Sequence, residues 1–178
     1  MEDECWLPEL IVCEDLEKWE EYEDLIYSEF VADFIDSNPT FHGRRVQIRK
    51  HPIEFEREDA FWHVTCCDYS KNKERNPDLR RCERIKWIRA FIENYECNGF
   101  CCDECDGLYI WSTIYKPTKS PRFKILFEEE RYVVIVEQRE KYCLLITAYY
   151  IDQEHRLEKM LKEYEKVKKQ EAPHQGRN

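Results

Sequence analysis

Four runs rich in β-formers follow one another between residues 108 and 151: LYIWSTIY, RFKILFE, RYVVIVEQ and YCLLITAYYI. Val, Ile, Tyr, Phe and Trp suit a pleated, half-buried surface. Short charged turns, EEE at 128–130 and REK at 139–141, join the last three runs. Strands connected so briefly pair with their chain neighbours, so the spacing predicts an antiparallel meander. The rest of the chain must be arranged around that sheet.

Three segments carry a helical period. EDLEKWEEYEDLIYSEFVADFIDS sets Trp19, Tyr22, Ile26, Phe30 and Phe34 on one face and acids on the other, and Pro39 stops it. In NPDLRRCERIKWIRAFIENYE, Asn76 is the expected N-cap, Pro77 suits the first turn and Asp78 the positive end of the helix dipole. Its apolar stripe is Leu79, Cys82, Ile85, Ile88, Phe91 and Tyr95. A last helix, DQEHRLEKMLKEYEKVKKQE, presents Leu157, Leu161 and Tyr164. Between the first two, RRVQIRK alternates around Val46 and Ile48, and AFWHVTCC is a second β-rich stretch beyond the turn-like HPIEFERED, so both are expected as short strands. The predicted class is α+β: an antiparallel β-sheet of about four to six strands with N-terminal, central and C-terminal helices packed on it. The expected organisation is an acidic helical segment over 1–40, an α+β domain over 41–170 and a disordered tail over 171–178.

Aromatic residues make up 14% of the 178, enough for a core despite 37% charged residues and a mean hydropathy of -0.80. The apolar runs fall far short of the roughly 20 residues a membrane span needs. The opening MEDECWLPEL is acidic where a secretory signal is basic, so a cytoplasmic protein without a membrane partner is expected. Ten cysteines without an export signal then favour free thiols or a metal site over a disulfide framework. CNGFCCDEC supplies Cys97, Cys101, Cys102 and Cys105 at spacings a structural zinc could use, with further ligands drawn from Cys66, Cys67 or Cys82. Free thiols are the other reading, and no other cofactor is expected.

Charge is unevenly placed. The net charge is -10, and Lys18 is the only basic residue from Met1 to Asp36. Over residues 71–89, however, Lys71, Lys73, Arg75, Arg80, Arg81, Arg84, Lys86 and Arg89 meet only Glu74, Asp78 and Glu83. On a helix, Arg81 and Arg84 are neighbours, as are Arg80 and Arg84, and paired guanidinium groups grip phosphate. Such a face equally suits salt bridges to the acidic N-terminal helix. His63, read as lying on a strand with Phe61 and Thr65, is either a half-buried structural histidine or a proton-transfer group. Along the final strand, alternation places Thr147 and Tyr149 on one face with Cys143 and Leu145, and Ile146, Ala148 and Tyr150 on the other. Buried hydroxyls in that position need partners, either structural ones or a bound phosphate.

Taken together, FWHVT, the following RRCERIKWI helix and the terminal RYVVIVEQREKYCLLITAYYI hairpin resemble small ribonuclease toxins of the barnase, EndoU, colicin and RelE-like group (the BECR fold), of phage or plasmid type. The likeness spans roughly residues 45–165, and the penultimate strand, turn and LITAY ending is its most specific part. The long acidic N-terminal helix and the cysteine knuckle depart from the pattern. The resemblance implies metal-independent RNA cleavage, in which the RNA 2'-hydroxyl attacks to leave a 2',3'-cyclic phosphate, and a cognate antitoxin or immunity protein as partner. It implies a catalytic set of His63 for proton transfer, Arg81 and Arg84 for the phosphate charge, and Thr147 with Tyr149 for orientation, with Arg80, Lys86 and Arg89 contacting RNA. The alternatives are a non-catalytic, zinc-stabilised module that binds nucleic acid or protein, and an interaction protein whose acidic helix is its working surface.

Overall fold

A computed structural model of the chain describes residues 5–67, 75–99 and 106–172. The helices are α1 (Trp19–Phe34), α2 (Asp59–Thr65), α3 (Leu79–Glu83), α4 (Ile85–Glu93) and α5 (Glu154–Glu171). The strands are β1 (Thr40–Phe41), β2 (Arg44–Gln47), β3 (Ile53–Glu54), β4 (Arg57–Glu58), β5 (Cys66–Cys67), β6 (Asn76–Pro77), β7 (Tyr109–Tyr115), β8 (Ser120–Phe127), β9 (Tyr132–Gln138) and β10 (Cys143–Tyr150). The class is α+β, as the sequence predicts. Six strands form one sheet in the order β1-β2-β10-β9-β8-β7, with β7 to β10 as the expected meander. It is not purely antiparallel: Cys143 and Leu144 of β10 pair in parallel with Val46 and Gln47 of β2. The chain between β2 and β7 supplies the crossover that a parallel pair requires.

Helices cover both faces of this sheet. On one, Ile26 and Phe30 of α1, Phe61 and Trp62 of α2 and Ile88 and Phe91 of α4 meet Val134, Val136, Leu145 and Ala148 in a single core. On the other, α5 lays Leu157, Leu161 and Tyr164 over Trp111, Leu126 and Val133. Being covered twice explains why YVVIVEQ is a nearly continuous apolar run rather than an alternating one. The acidic helix α1 buries Tyr22, Ile26, Phe30 and Phe34 as its period predicts. Among the described residues no helix is long and apolar enough to cross a membrane.

Two elements differ from expectation. AFWHVTCC is not a strand: Asp59–Thr65 is a helix and only Cys66–Cys67 is extended, pairing with Asn76–Pro77. Six of the seven helical residues are buried, Asp59 and Thr65 among them, so the segment is buried nearly all round and shows no helical period to read. The helix expected to begin at Asn76 begins instead at Leu79. Asp78 is its N-cap, and its carboxylate accepts from the backbone N–H groups of Arg80 (3.0 Å) and Arg81 (3.4 Å). It breaks at Arg84 into α3 and α4.

Candidate functional site

The faces of β10 are also not those of simple alternation. A bulge between Leu145 and Thr147 inserts one unpaired residue, and an inserted residue exchanges the faces beyond it. Cys143, Leu145 and Ala148 therefore share the main core, with Tyr150 packed against it, whereas Tyr149 turns to the α5 side. The two tyrosines both line a cleft of about 1090 Å³ between α3 and α5.

Five cations line this cleft, Arg80, Arg81, Lys124, Arg156 and Lys159, against the three carboxylates Asp78, Asp152 and Glu163. Not all five are available to a ligand. Lys124 donates to both oxygens of Glu163 (2.8 and 2.9 Å), which also accepts from the Trp111 indole. Arg81 is built in: one Nη donates to the backbone carbonyls of His63 (3.3 Å) and Cys66 (3.0 Å), and its Nε faces Asp78. Arg156 stands 4.0 Å from Asp152, both well exposed, a pair of little energetic weight. Among the described residues, Arg80 and Lys159 have no carboxylate partner. The arginines also stack on the tyrosines, Arg80 with its Cζ 4.4 Å from the Tyr150 ring centre and Arg81 5.5 Å from that of Tyr149. Burial pushes the Tyr149 hydroxyl above its ordinary pKa, with Arg81 and Arg156 pulling the other way, so it stays protonated at neutral pH.

The cleft thus brings together Arg80, Arg81 and Tyr149 from the sequence-predicted set, and the other members lie elsewhere. His63 sits on α2, half-buried, its Nε2 3.4 Å from Asp59 Oδ2. Burial lowers its pKa, Asp59 works to raise it, and Arg49 and Arg81 lower it further, leaving a neutral imidazole at neutral pH. Thr147 donates to the His63 backbone carbonyl rather than to the ring. Arg84 does not converge with Arg81 on open space. It is buried, donates to the carbonyl of Arg80 and to Glu130, and packs over Trp87. Arg89 is tied to Asp33 and Ser37 on the α1 side and to Glu93 of its own helix, and Lys86 is outside the cleft lining.

Of the proposed zinc ligands, Cys101, Cys102 and Cys105 lie outside the described residues. Cys66, Cys67 and Cys82 are free thiols, and Cys97 is partly buried against the main core. Among the described residues no cluster of His, Cys, Asp and Glu is arranged to hold a metal.

Sequence reasoning missed Tyr150, Lys124, Arg156 and Lys159. Arg156 and Lys159 stand three apart on the last helix and so share a face, a signal present in the sequence but overshadowed by the apolar stripe beside it.

Fold and cleft together define an α+β protein with a cationic groove at one end of a mixed sheet. No family model, curated protein or solved structure matches the chain.

Proposed function

We propose that this protein binds single-stranded RNA in the cleft between α3 and α5. One observation carries the proposal: in a chain of net charge -10, the cleft holds more cations than carboxylates, and among the described residues Arg80 and Lys159 are left without acidic partners beside two tyrosine rings. Unneutralised Lys and Arg take phosphate oxygens, and aromatic faces take unpaired bases, the combination used by proteins that hold single strands. Arg80, Arg156 and Lys159 are the phosphate contacts. Tyr149 and Tyr150, steadied by the arginines, form the wall for a base. The choice of RNA rests on the resemblance to the nuclease toxins, and the cytoplasm is the setting proposed for meeting it.

A cleaving version of the same reading is favoured by a second observation. Thr147 and Arg81 both donate to the carbonyl of His63, which couples the His63–Asp59 pair to the cleft wall. The neutral imidazole would accept the proton of the RNA 2'-hydroxyl as its oxygen attacks phosphorus, and the 5'-oxygen, released as its bond to phosphorus breaks, would take a proton from water. That yields a 2',3'-cyclic phosphate without a metal, a toxin-like activity for which an antitoxin or immunity protein would be the natural partner. Since His63 is not in the cleft lining, the RNA would have to run beyond the cleft to reach it.

Both are tested by incubating purified protein with a fluorescent RNA oligonucleotide in EDTA and following anisotropy and product ends together. Salt-sensitive binding with intact RNA supports the binding reading. Cyclic-phosphate products that vanish in His63→Ala support the cleaving one. RNA that neither binds nor is cut contradicts both.

A further inference from the structure

The sheet ends at β7, and among the described residues nothing pairs with its outer edge. Long, flat, uncharged edges are normally blunted with lysine, proline or a bulge. This one is not: Tyr109–Tyr115 reads YIWSTIY, seven residues without a charge, a proline or a register shift, in a chain that is 37% charged. Ile114 on it is 64% exposed. The opposite edge, β1, has only two residues and offers no such template.

We propose that β7 is a self-association edge, on which β7 of a second copy of this chain adds antiparallel about a two-fold axis through Ser112. Two features of the strand argue for a copy of itself rather than an unrelated strand. The first is that its residue types read almost the same in both directions. A two-fold at Ser112 sets Tyr109 opposite Tyr115, Ile110 opposite Ile114, and Trp111 opposite Thr113, so that every pair but Ser112 on itself joins aromatic or β-branched residues. The exposed Ile114 then covers the half-buried Ile110 of its partner copy. The second is charge. At the start of β7 lie Asp106, Glu128 and Glu129, with Arg131 there already paired to Glu154. At its end stands the turn carrying Lys116 and Lys119. Antiparallel addition brings the acidic end of one copy against the basic end of the other, twice per dimer, whereas parallel addition would set like against like. The edge is also held ready: Arg122 stacks on Tyr115 with its Cζ 3.2 Å from the ring centre, and Tyr109 packs edge-on against Tyr164 of α5.

The test is sedimentation of the full chain over a concentration series, with charge-swapped variants. Wild type is expected to dimerise, and Ile114→Lys, at an exposed position, to raise the dissociation constant by about tenfold or more. Lys116→Glu/Lys119→Glu alone, and Asp106→Lys/Glu129→Lys alone, are each expected to be monomeric. An equimolar mixture of the two should recover the dimer, because swapped ends are again complementary, and circular dichroism verifies that each variant is folded. A wild type that stays monomeric into the millimolar range overturns the proposal and leaves the edge to a strand from a different chain. So does a dimer indifferent to Ile114→Lys, or folded charge variants that fail to associate when mixed.

Discussion

The hydroxyl of Thr147 donates to the backbone carbonyl of His63 at 3.2 Å, and Arg81 donates to that same oxygen from the other element. This shared acceptor fastens α2, α3 and β10 together. It also uses up the hydroxyl that the sequence offers as a substrate contact.

Thr147→Val keeps the shape and removes the donor. With Arg81 still on the carbonyl, urea denaturation should register a loss of about 0.5–1 kcal/mol, and RNA affinity should be unchanged. A variant of unaltered stability that has lost an RNA-directed activity would instead put the hydroxyl on substrate.

Arg80 and Arg84, one turn apart, should behave oppositely. Arg84 is 7% exposed, packs over Trp87 and Tyr150 and donates to the carbonyl of Arg80. Its replacement by alanine is expected to cost about 2 kcal/mol of stability. Arg80 is exposed, so Arg80→Ala should stay within about 0.5 kcal/mol of wild type and act on binding. Equal thermal shifts for the two would contradict these assignments.

Asp33 sets a pH dependence. Burial raises its carboxyl to about 6, opposed by Arg89, with Glu29 and Glu93 adding to the rise. A carboxyl whose folded pKa lies above its unfolded one contributes stability at pH values below the unfolded pKa, and that contribution is lost as pH rises through about 6. Asp33→Asn should therefore flatten the stability profile between about pH 4 and pH 7, with its advantage over wild type greatest at the upper end. An unchanged slope would show that Asp33 titrates normally.

Glu137 works in the reverse direction. It is fully buried on β9, and although burial works to raise its pKa, Arg122 at 2.6 Å and Arg139 at 2.8 Å overcome that and hold it below the usual carboxylate value. Its stabilisation is present at neutral pH and is lost only as pH falls through that depressed value. Glu137→Gln leaves two half-buried guanidinium groups uncompensated and should cost about 2 kcal/mol or more at neutral pH, read by chemical denaturation.

The helices visible in the sequence are those in which one face is buried and the other is wet. α1 and α5 have that character, and their periods place Ile26, Phe30 and Leu157 correctly; the meander, covered on both faces, shows instead in its β-rich runs and the short charged turns between them. The segment around His63 lacks it, because six of its seven helical residues are buried and β-rich composition was all that remained to read. A single unpaired residue defeated the alternation in β10, since a bulge is set by how the strand meets β9 and leaves no mark in composition. The basic run was visible, but its division was not. Burial and local partners make Arg84 and Arg89 structural and leave Arg80 facing the cleft, where it is joined by Arg156 and Lys159 from a helix some seventy residues on.

The central claim is that the α3–α5 cleft holds RNA through cations that have no acidic partner among the described residues. The most direct measurement compares the salt dependence of RNA binding for wild type, Arg80→Ala/Lys159→Ala and the charge-matched Lys86→Ala/Arg89→Ala. Each lost phosphate contact lowers the slope of log affinity against log salt by about 0.7 for a single strand. The cleft double variant should therefore bind more weakly with a slope shallower by about 1.4, and the control should follow wild type. Equal losses in both double variants would mean that net charge alone governs binding, and an unweakened cleft variant would remove the site.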